Sequence, residues 1–347
     1  MRAIGTGRSQ VKKIAIEEAF ATESLIDAWR AMIADGAPGE PGMIQHLGRL
    51  INTNRGWGAQ VAERLVDLGD IRVGEMDANG IDMQLIAITS PGVQVFDADT
   101  GNALAAEAND ILAEAVKAHP PRFAGLAAIQ PLAPKTAALE IERALGLGLK
   151  GVMINSHTKG EYLDAIAYRP ILEAAEALDT PLYIHPRPAA PAMMAPMFER
   201  HLEGSMWGFQ TETAVHALRM IVSGVFDDFP NLRVVLGHLG EGLPFWLDRF
   251  DRISSRGRNA TDAYPFWTAK RLPSEYFLEN IWMSSSGHNW DPAVRFVEEV
   301  AGEDRLMFAV DYPYEECKQQ VDQAAGVKVK NPEKFYELTA RSVFGIT

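Results

Sequence analysis

Residues 181–188 read PLYIHPRP, a short apolar run that ends on His185 and is shut at once by a proline, which has no N–H to offer a β-ladder. The same construction returns in LRVVLGH (232–238), which ends on His238, and in RLMFAVD (305–311), which ends on Asp311. Working outward from these three, similar runs recur along the chain: KIAIEE (13–18), MQLIAIT (83–89), RFAGLAAI (122–129), KGVMIN (150–155) and NIWMSSS (280–286). Each is followed by a stretch with helical spacing, as parallel strands buried on both faces and joined by crossover helices require. Eight such units predict an α/β protein, a (β/α)8 barrel.

The helices carry their own punctuation. AERLVDLGDIRVGEMDANG stops at Asn79-Gly80, and TGNALAAEANDILAEAVKAHP halts before Pro120. No linker or repeat divides the chain, so residues 1–347 read as one barrel domain with two insertions, 37–60 and 187–210, both rich in Gly, Pro, Met and Trp. Long loops of this kind serve as lids or as oligomer contacts.

The chain has 347 residues, 47% apolar and 23% charged, with a formal net charge of -13. Such an acidic balance argues against nucleic acid as partner, because phosphate backbones demand an excess of Lys and Arg. No window approaches the roughly 20 apolar residues of a membrane span. The opening MRAIGTGRSQVKK is too polar for a secretory leader, so the expected setting is cytoplasmic. Cys317 is the one cysteine, which leaves any metal to histidines and carboxylates. GLGLKG (146–151) leads into a strand, not out of one, and is no dinucleotide fingerprint.

In a barrel of this type the chemistry sits at the C-terminal mouth, so polar residues at strand ends are the candidates. They are Glu17-Glu18, Asn155 with His157, His185, His238 with Glu241, Ser284 to His288, and Asp311. Glutamate, histidine and aspartate converging on one point make a mixed oxygen and nitrogen set suited to a divalent metal. His157 reads as a substrate contact from the fourth loop. His216, on an apolar helix face, reads as a packed structural residue, while His46, His119 and His201 read as surface or loop residues. Trp207, Phe209 and Trp246 would stack on an aromatic substrate or on a neighbouring subunit.

Taken together, IAIEEAF, SPGVQ, INSHTKGEYLD, LYIHP, GHLGEGLPFWLDRFD and AVDYPYE resemble the decarboxylase branch of the amidohydrolase superfamily, which includes the γ-resorcylate and 5-carboxyvanillate decarboxylases. The resemblance spans nearly the whole chain. It implies Glu17, His185 and Asp311 as metal ligands, His238 and Glu241 as the catalytic pair beside the substrate, and Asp311 as proton donor as well. Arg249 and Tyr314 are the implied substrate-binding residues. Several relatives carry E-x-H at the first strand, whereas Ala19 stands here, so one protein ligand is missing. Fewer nitrogens favour Mn(II), the metal of the 5-carboxyvanillate type, with Zn(II) second. Trp57 stands where that type has a carboxylate-binding arginine, and Arg55 is the candidate to replace it.

The expected activity is non-oxidative decarboxylation of a hydroxylated aromatic acid, with the ring carbon protonated before CO2 leaves. The alternative is a metal-dependent hydrolase of a lactone or meta-cleavage product. A non-catalytic barrel with a structural metal is a third reading, but such sites are usually closed by four protein ligands and only three are visible. The expected partners are a small aromatic acid and further copies of the chain, as a dimer or tetramer.

Overall fold

The computed structural model describes residues 11–258 and 267–347. Among the described residues nine strands follow one another: β1 (Ile14–Phe20), β2 (Met83–Ile88), β3 (Phe123–Gly125), β4 (Ala127–Ala128), β5 (Val152–Asn155), β6 (Leu182–His185), β7 (Val234–Leu236), β8 (Ile281–Ser284) and β9 (Leu306–Met307). All pair in parallel with their chain neighbours, as β1-β2-β3 and β4-β5-β6-β7-β8-β9. The two ladders share a strand position. Leu126 N donates to Ile86 O and Ala127 N to Gly151 O, each at 2.8 Å, so β3 and β4 are one strand that changes partner midway. That makes eight barrel positions.

The seam between first and last strands explains why the run expected at 305–311 yields only two residues of ladder. Ile16 N donates to Phe308 O at 3.2 Å and Ala19 N to Tyr312 O at 2.7 Å. Between them the Glu18 carboxylate accepts the backbone N–H of Val310 at 3.0 Å and of Tyr312 at 3.2 Å. A side chain thus replaces main-chain acceptors where β1 bulges. Burial, opposed by these N–H donors and reinforced by the charge of Asp311, pushes the Glu18 carboxyl up to about 8.

The strands are buried on both faces and largely apolar, as in MQLIAI, where all six residues are buried and the one polar side chain, Gln84, is hydrogen-bonded to Arg72. The helix expected across 62–80 is two, Gly56–Val66 and Asp70–Asn79. Asp67 interrupts it, its carboxylate accepting Gly69 N at 3.2 Å and Arg72 N at 2.8 Å, so it caps the second helix. The stop at Gly80 is left-handed, with φ 64°.

The insertions carry helices, Pro41–Ile51 in the first and Pro191–Phe198 in the second. They also pack on each other: a Cβ on Gly42 would lie 2.4 Å from Pro188 Cβ. Of the N-terminal stretch read as too polar for a leader, the first ten residues lie outside the described part.

Candidate metal centre and catalytic pair

β1 carries an extra residue. Ala15 faces Gln84 and Glu18 faces Ile86, so Ile16 and Glu17 together oppose Leu85. A bulge of this kind re-aims side chains. Here it lets consecutive glutamates do different work, Glu18 closing the seam and Glu17 entering the mouth. Glu17 is 3% exposed. Its Oε2 accepts from the Tyr183 hydroxyl and, at 2.5 Å, from Ser284 Oγ. Its Oε1 is buried and has no hydrogen-bond partner among the described residues. That atom stands 3.4 Å from His185 Nε2 and 3.4 Å from His238 Nε2. A buried carboxylate oxygen without a donor is costly, and a cation would satisfy it.

His185 supplies the complementary atom. Its Nδ1 lies 2.7 Å from the carbonyl of Pro186, so that nitrogen donates and the Nε2 lone pair faces the cluster. One ligand atom from each of Glu17, His185 and Asp311 lies within 4.8 Å of the other two. Two carboxylates and an unprotonated imidazole nitrogen fit a divalent ion. β7 approaches this point through Gly237, where a Cβ would come 2.8 Å from Glu17 Oε1.

The turn after β7 is strained. His238, Leu239 and Glu241 all have positive φ, at 49°, 59° and 56°, and Asp311 has φ 79°. Side chains rarely adopt this region, and such residues gather at functional sites. The turn brings Glu241 Oε1 to 2.8 Å from His238 Nδ1, while His238 Nε2 points inward, 3.9 Å from Asp311 Oδ2. Burial disfavours a charged His238, yet the charges of Glu241 and Glu17 outweigh it and hold the imidazole well above its usual range. Burial raises Glu241 in turn, against the pull of His238. Tyr314 sits beside Asp311 with its hydroxyl 2.5 Å from Thr89 Oγ1. A cavity of about 580 Å³ lies behind the pair, lined by His238, Glu241, His288, Trp207, Trp246 and Phe250.

Three sequence-derived candidates are not brought to this cluster. His157 is fully buried, its Nδ1 accepting Gly160 N and its Nε2 donating to Pro188 O, both at 3.1 Å. With both nitrogens committed to backbone, it holds loops together and has none left for substrate. Arg55 is exposed just before the helix Gly56–Val66, and Trp57 in the first turn of that helix is exposed as well. The Trp57 ring lies 6.5 Å from that of Tyr314. Arg249 is exposed on the helix Leu247–Arg258, its guanidinium over Trp246 at 5.9 Å, outside the cavity lining.

Tyr183 was missed by the sequence reasoning; with Ser284, one of the strand-end candidates, it orients Glu17. Tyr183 lies two residues before His185, on the same face of β6, a period-2 signal present in the sequence. His46, expected at the surface, is partly buried against Phe209 with ring centroids 4.9 Å apart, and burial brings its pKa down to about 4. His288 is exposed beside the pair, 6.0 Å from His238 ring to ring. His216 is packed as expected, Nε2 accepting Leu163 N at 3.1 Å.

A (β/α)8 barrel that gathers glutamate, histidine and aspartate at its C-terminal mouth, with a His–Glu pair alongside, defines a barrel enzyme of the divalent-metal class. The chain belongs to the amidohydrolase family, whose family model matches residues 26–346. The gamma-resorcylate decarboxylase of Polaromonas sp. strain JS666 is 36% identical over 322 residues, 89% of this chain and 90% of that one. The 5-carboxyvanillate decarboxylase of Novosphingobium aromaticivorans, solved with manganese and 4-hydroxy-3-methoxy-5-nitrobenzoic acid, is 40% identical. It has a TM-score of 0.94, covering 98% of this chain and 97% of its own. The 2,6-dihydroxybenzoate decarboxylase from Rhizobium is 31% identical with a TM-score of 0.83, covering 97% of this chain and 99% of its own.

Proposed function

We propose that the protein is a metal-dependent, non-oxidative decarboxylase of a hydroxylated aromatic carboxylic acid. The observation that carries this is the convergence of Glu17, His185 and Asp311 within 4.8 Å, beside the His238–Glu241 pair. Relatives that act on such acids favour it over the lactone hydrolase. The three ligands would hold one ion, Mn(II) first and Zn(II) second. When bound, the ion supplies Lewis-acid neutralisation of the substrate's phenolate and carboxylate charge.

The remaining steps belong to the side chains. A metal ligand prefers to be a carboxylate whereas an acid must be protonated. Asp311 meets both demands if it takes the proton that the substrate's phenol loses on binding. It then gives that proton to the ring carbon bearing the carboxylate. The bond to the carboxyl carbon breaks, its electron pair returns to the ring, CO2 leaves, and aromaticity is restored. Solvent reprotonates the product phenolate, so one proton is consumed per turnover. His238, held by Glu241, donates to the substrate's second oxygen substituent, and Tyr314 bounds the ring.

The finer expectations belong to the same reading: one barrel domain over residues 1–347, a cytoplasmic setting, and self-association as a dimer or tetramer. Exposed Met206, Trp207, Phe245 and Trp246 support self-association, because large apolar groups left in water mark interaction sites. Among the described residues no helix is long and apolar enough to cross a membrane. A screen of hydroxybenzoates, 5-carboxyvanillate included, with the Mn-loaded protein tests the activity. Release of CO2 from at least one is expected; hydrolysis of a lactone with no CO2 from any would overturn it.

A further inference from the structure

We propose that the buried Arg187–Glu40 ion pair is a positioning device that ties the first insertion to His185, so that breaking it weakens metal binding and metal binding in turn orders residues 41–51. The inference rests on reading Glu17, His185 and Asp311 as the metal ligands.

His185 is oriented by main chain, its Nδ1 donating to Pro186 O at 2.7 Å. That carbonyl holds the ring only if the backbone of residues 186–188 is itself held. No ladder does this, because β6 ends at His185 and two of the three following residues are prolines without an N–H. The Arg187 side chain does it instead. It is 1% exposed, pairs through Nη2 with the Glu40 carboxylate, and donates through Nη1 to His157 O at 3.0 Å. His157 returns a hydrogen bond to Pro188 O at 3.1 Å. The loop after the ligand is thereby locked at Arg187 and at Pro188.

Glu40 stands immediately before the helix Pro41–Ile51 and is 5% exposed. Its second oxygen is 4.0 Å from Lys159 Nζ, which also donates to Val95 O. Two residues on, Gly42 approaches Pro188 so closely that any side chain there would collide. The start of the helix and the loop behind His185 are therefore one packed unit. Breaking a buried pair leaves an uncompensated charge, which costs more than the pair is worth, so the loop must rearrange when Glu40 is neutralised. Partners that orient a ligating imidazole commonly change metal affinity by about 10- to 100-fold. Coupling is reciprocal: whatever the latch adds to metal affinity returns as order in the helix when metal binds.

The test uses the full-length protein, stripped of metal and titrated with Mn(II) against a competing chelator dye, and hydrogen exchange with and without Mn(II). Glu40→Gln is expected to weaken Mn(II) binding by about 10- to 100-fold. Amides of residues 41–51 should exchange more slowly in the loaded parent than in the stripped one, and this difference should shrink in Glu40→Gln. If Glu40→Gln does not fold, the doubly neutral Glu40→Gln/Arg187→Met, which leaves no lone buried charge, should fold and bind Mn(II) as weakly. Parent-like affinity in a folded variant overturns the proposal, as does exchange over 41–51 that ignores Mn(II). Because neither readout involves turnover, such a failure leaves the decarboxylase reading standing. Loss of that reading's CO2 release with these readouts intact leaves the latch standing.

Discussion

Tyr183→Phe removes one hydroxyl and nothing else from the barrel interior. Tyr183 is fully buried and donates to Glu17 Oε2, with Ser284 Oγ as the second donor at 2.5 Å and 2.9 Å from the tyrosine oxygen. Together they fix the carboxylate so that Oε1 faces the cluster. A hydrogen bond to a charged group is worth about 1.5–3 kcal/mol, which at tenfold per 1.4 kcal/mol is about 10- to 150-fold in affinity. Ser284 remains and keeps part of the restraint, so the lower end applies: Mn(II) binding weaker by about 10- to 30-fold. Ser284→Ala should act similarly, and the double variant should lose more than either because Glu17 then has no donor on Oε2. Titration of metal-free protein against a chelating dye measures this, with melting curves confirming an intact barrel. Parent-like Mn(II) affinity in both single variants would refute the idea that these donors aim Glu17 at a metal.

Gly237→Ala places a methyl 2.8 Å from Glu17 Oε1, against a carboxylate already held on its other oxygen. It should fold yet hold little metal, and parent-like metal content by atomic absorption would contradict the geometry. His216 and His157 are kept neutral by burial, with pKa values lowered to about 3 and about 2. The unfolded chain protonates both below about 6.5, so their stabilising contribution is present above that pH and is lost as pH falls. At pH 5 the loss is about 2 kcal/mol for each. Urea melts at pH 7.5 and 5 should show it, and equal midpoints would argue against buried neutral imidazoles.

The barrel was legible because its strands are short, apolar and ended by polar residues or proline, a local pattern. Glu17, His185 and Asp311 were legible as candidates for the same reason, since each stands at the end of an apolar run in the sequence, although β1 itself continues to Phe20 and β9 stops at Met307. What failed depends on contacts distant in sequence. His157 read as a substrate contact just past a strand end, but its Nε2 is taken by Pro188 O, which the sequence does not place beside it. Arg55 is exposed just before the helix Gly56–Val66, a placement set by how the first insertion folds and not by its local sequence. The first insertion's helix had a readable signal, with Met43, Leu47, Leu50 and Ile51 buried at helical spacing behind Pro41. The helix Pro191–Phe198, with Pro196 inside it, had none. Glu18 is the least legible, because a carboxylate replacing ladder acceptors needs the closed seam to exist first.

The most direct test of the central claim is turnover of a hydroxybenzoate by the Mn-loaded protein in deuterium oxide, with the parent and Asp311→Asn side by side. The parent is expected to release CO2 and to place one deuterium at the carbon that bore the carboxyl group, with a loss of about 10²- to 10⁴-fold in Asp311→Asn, which keeps an oxygen ligand but has no proton to give. Near-parent turnover in Asp311→Asn would move proton delivery to another residue, and no deuterium at that carbon would contradict protonation of the ring altogether.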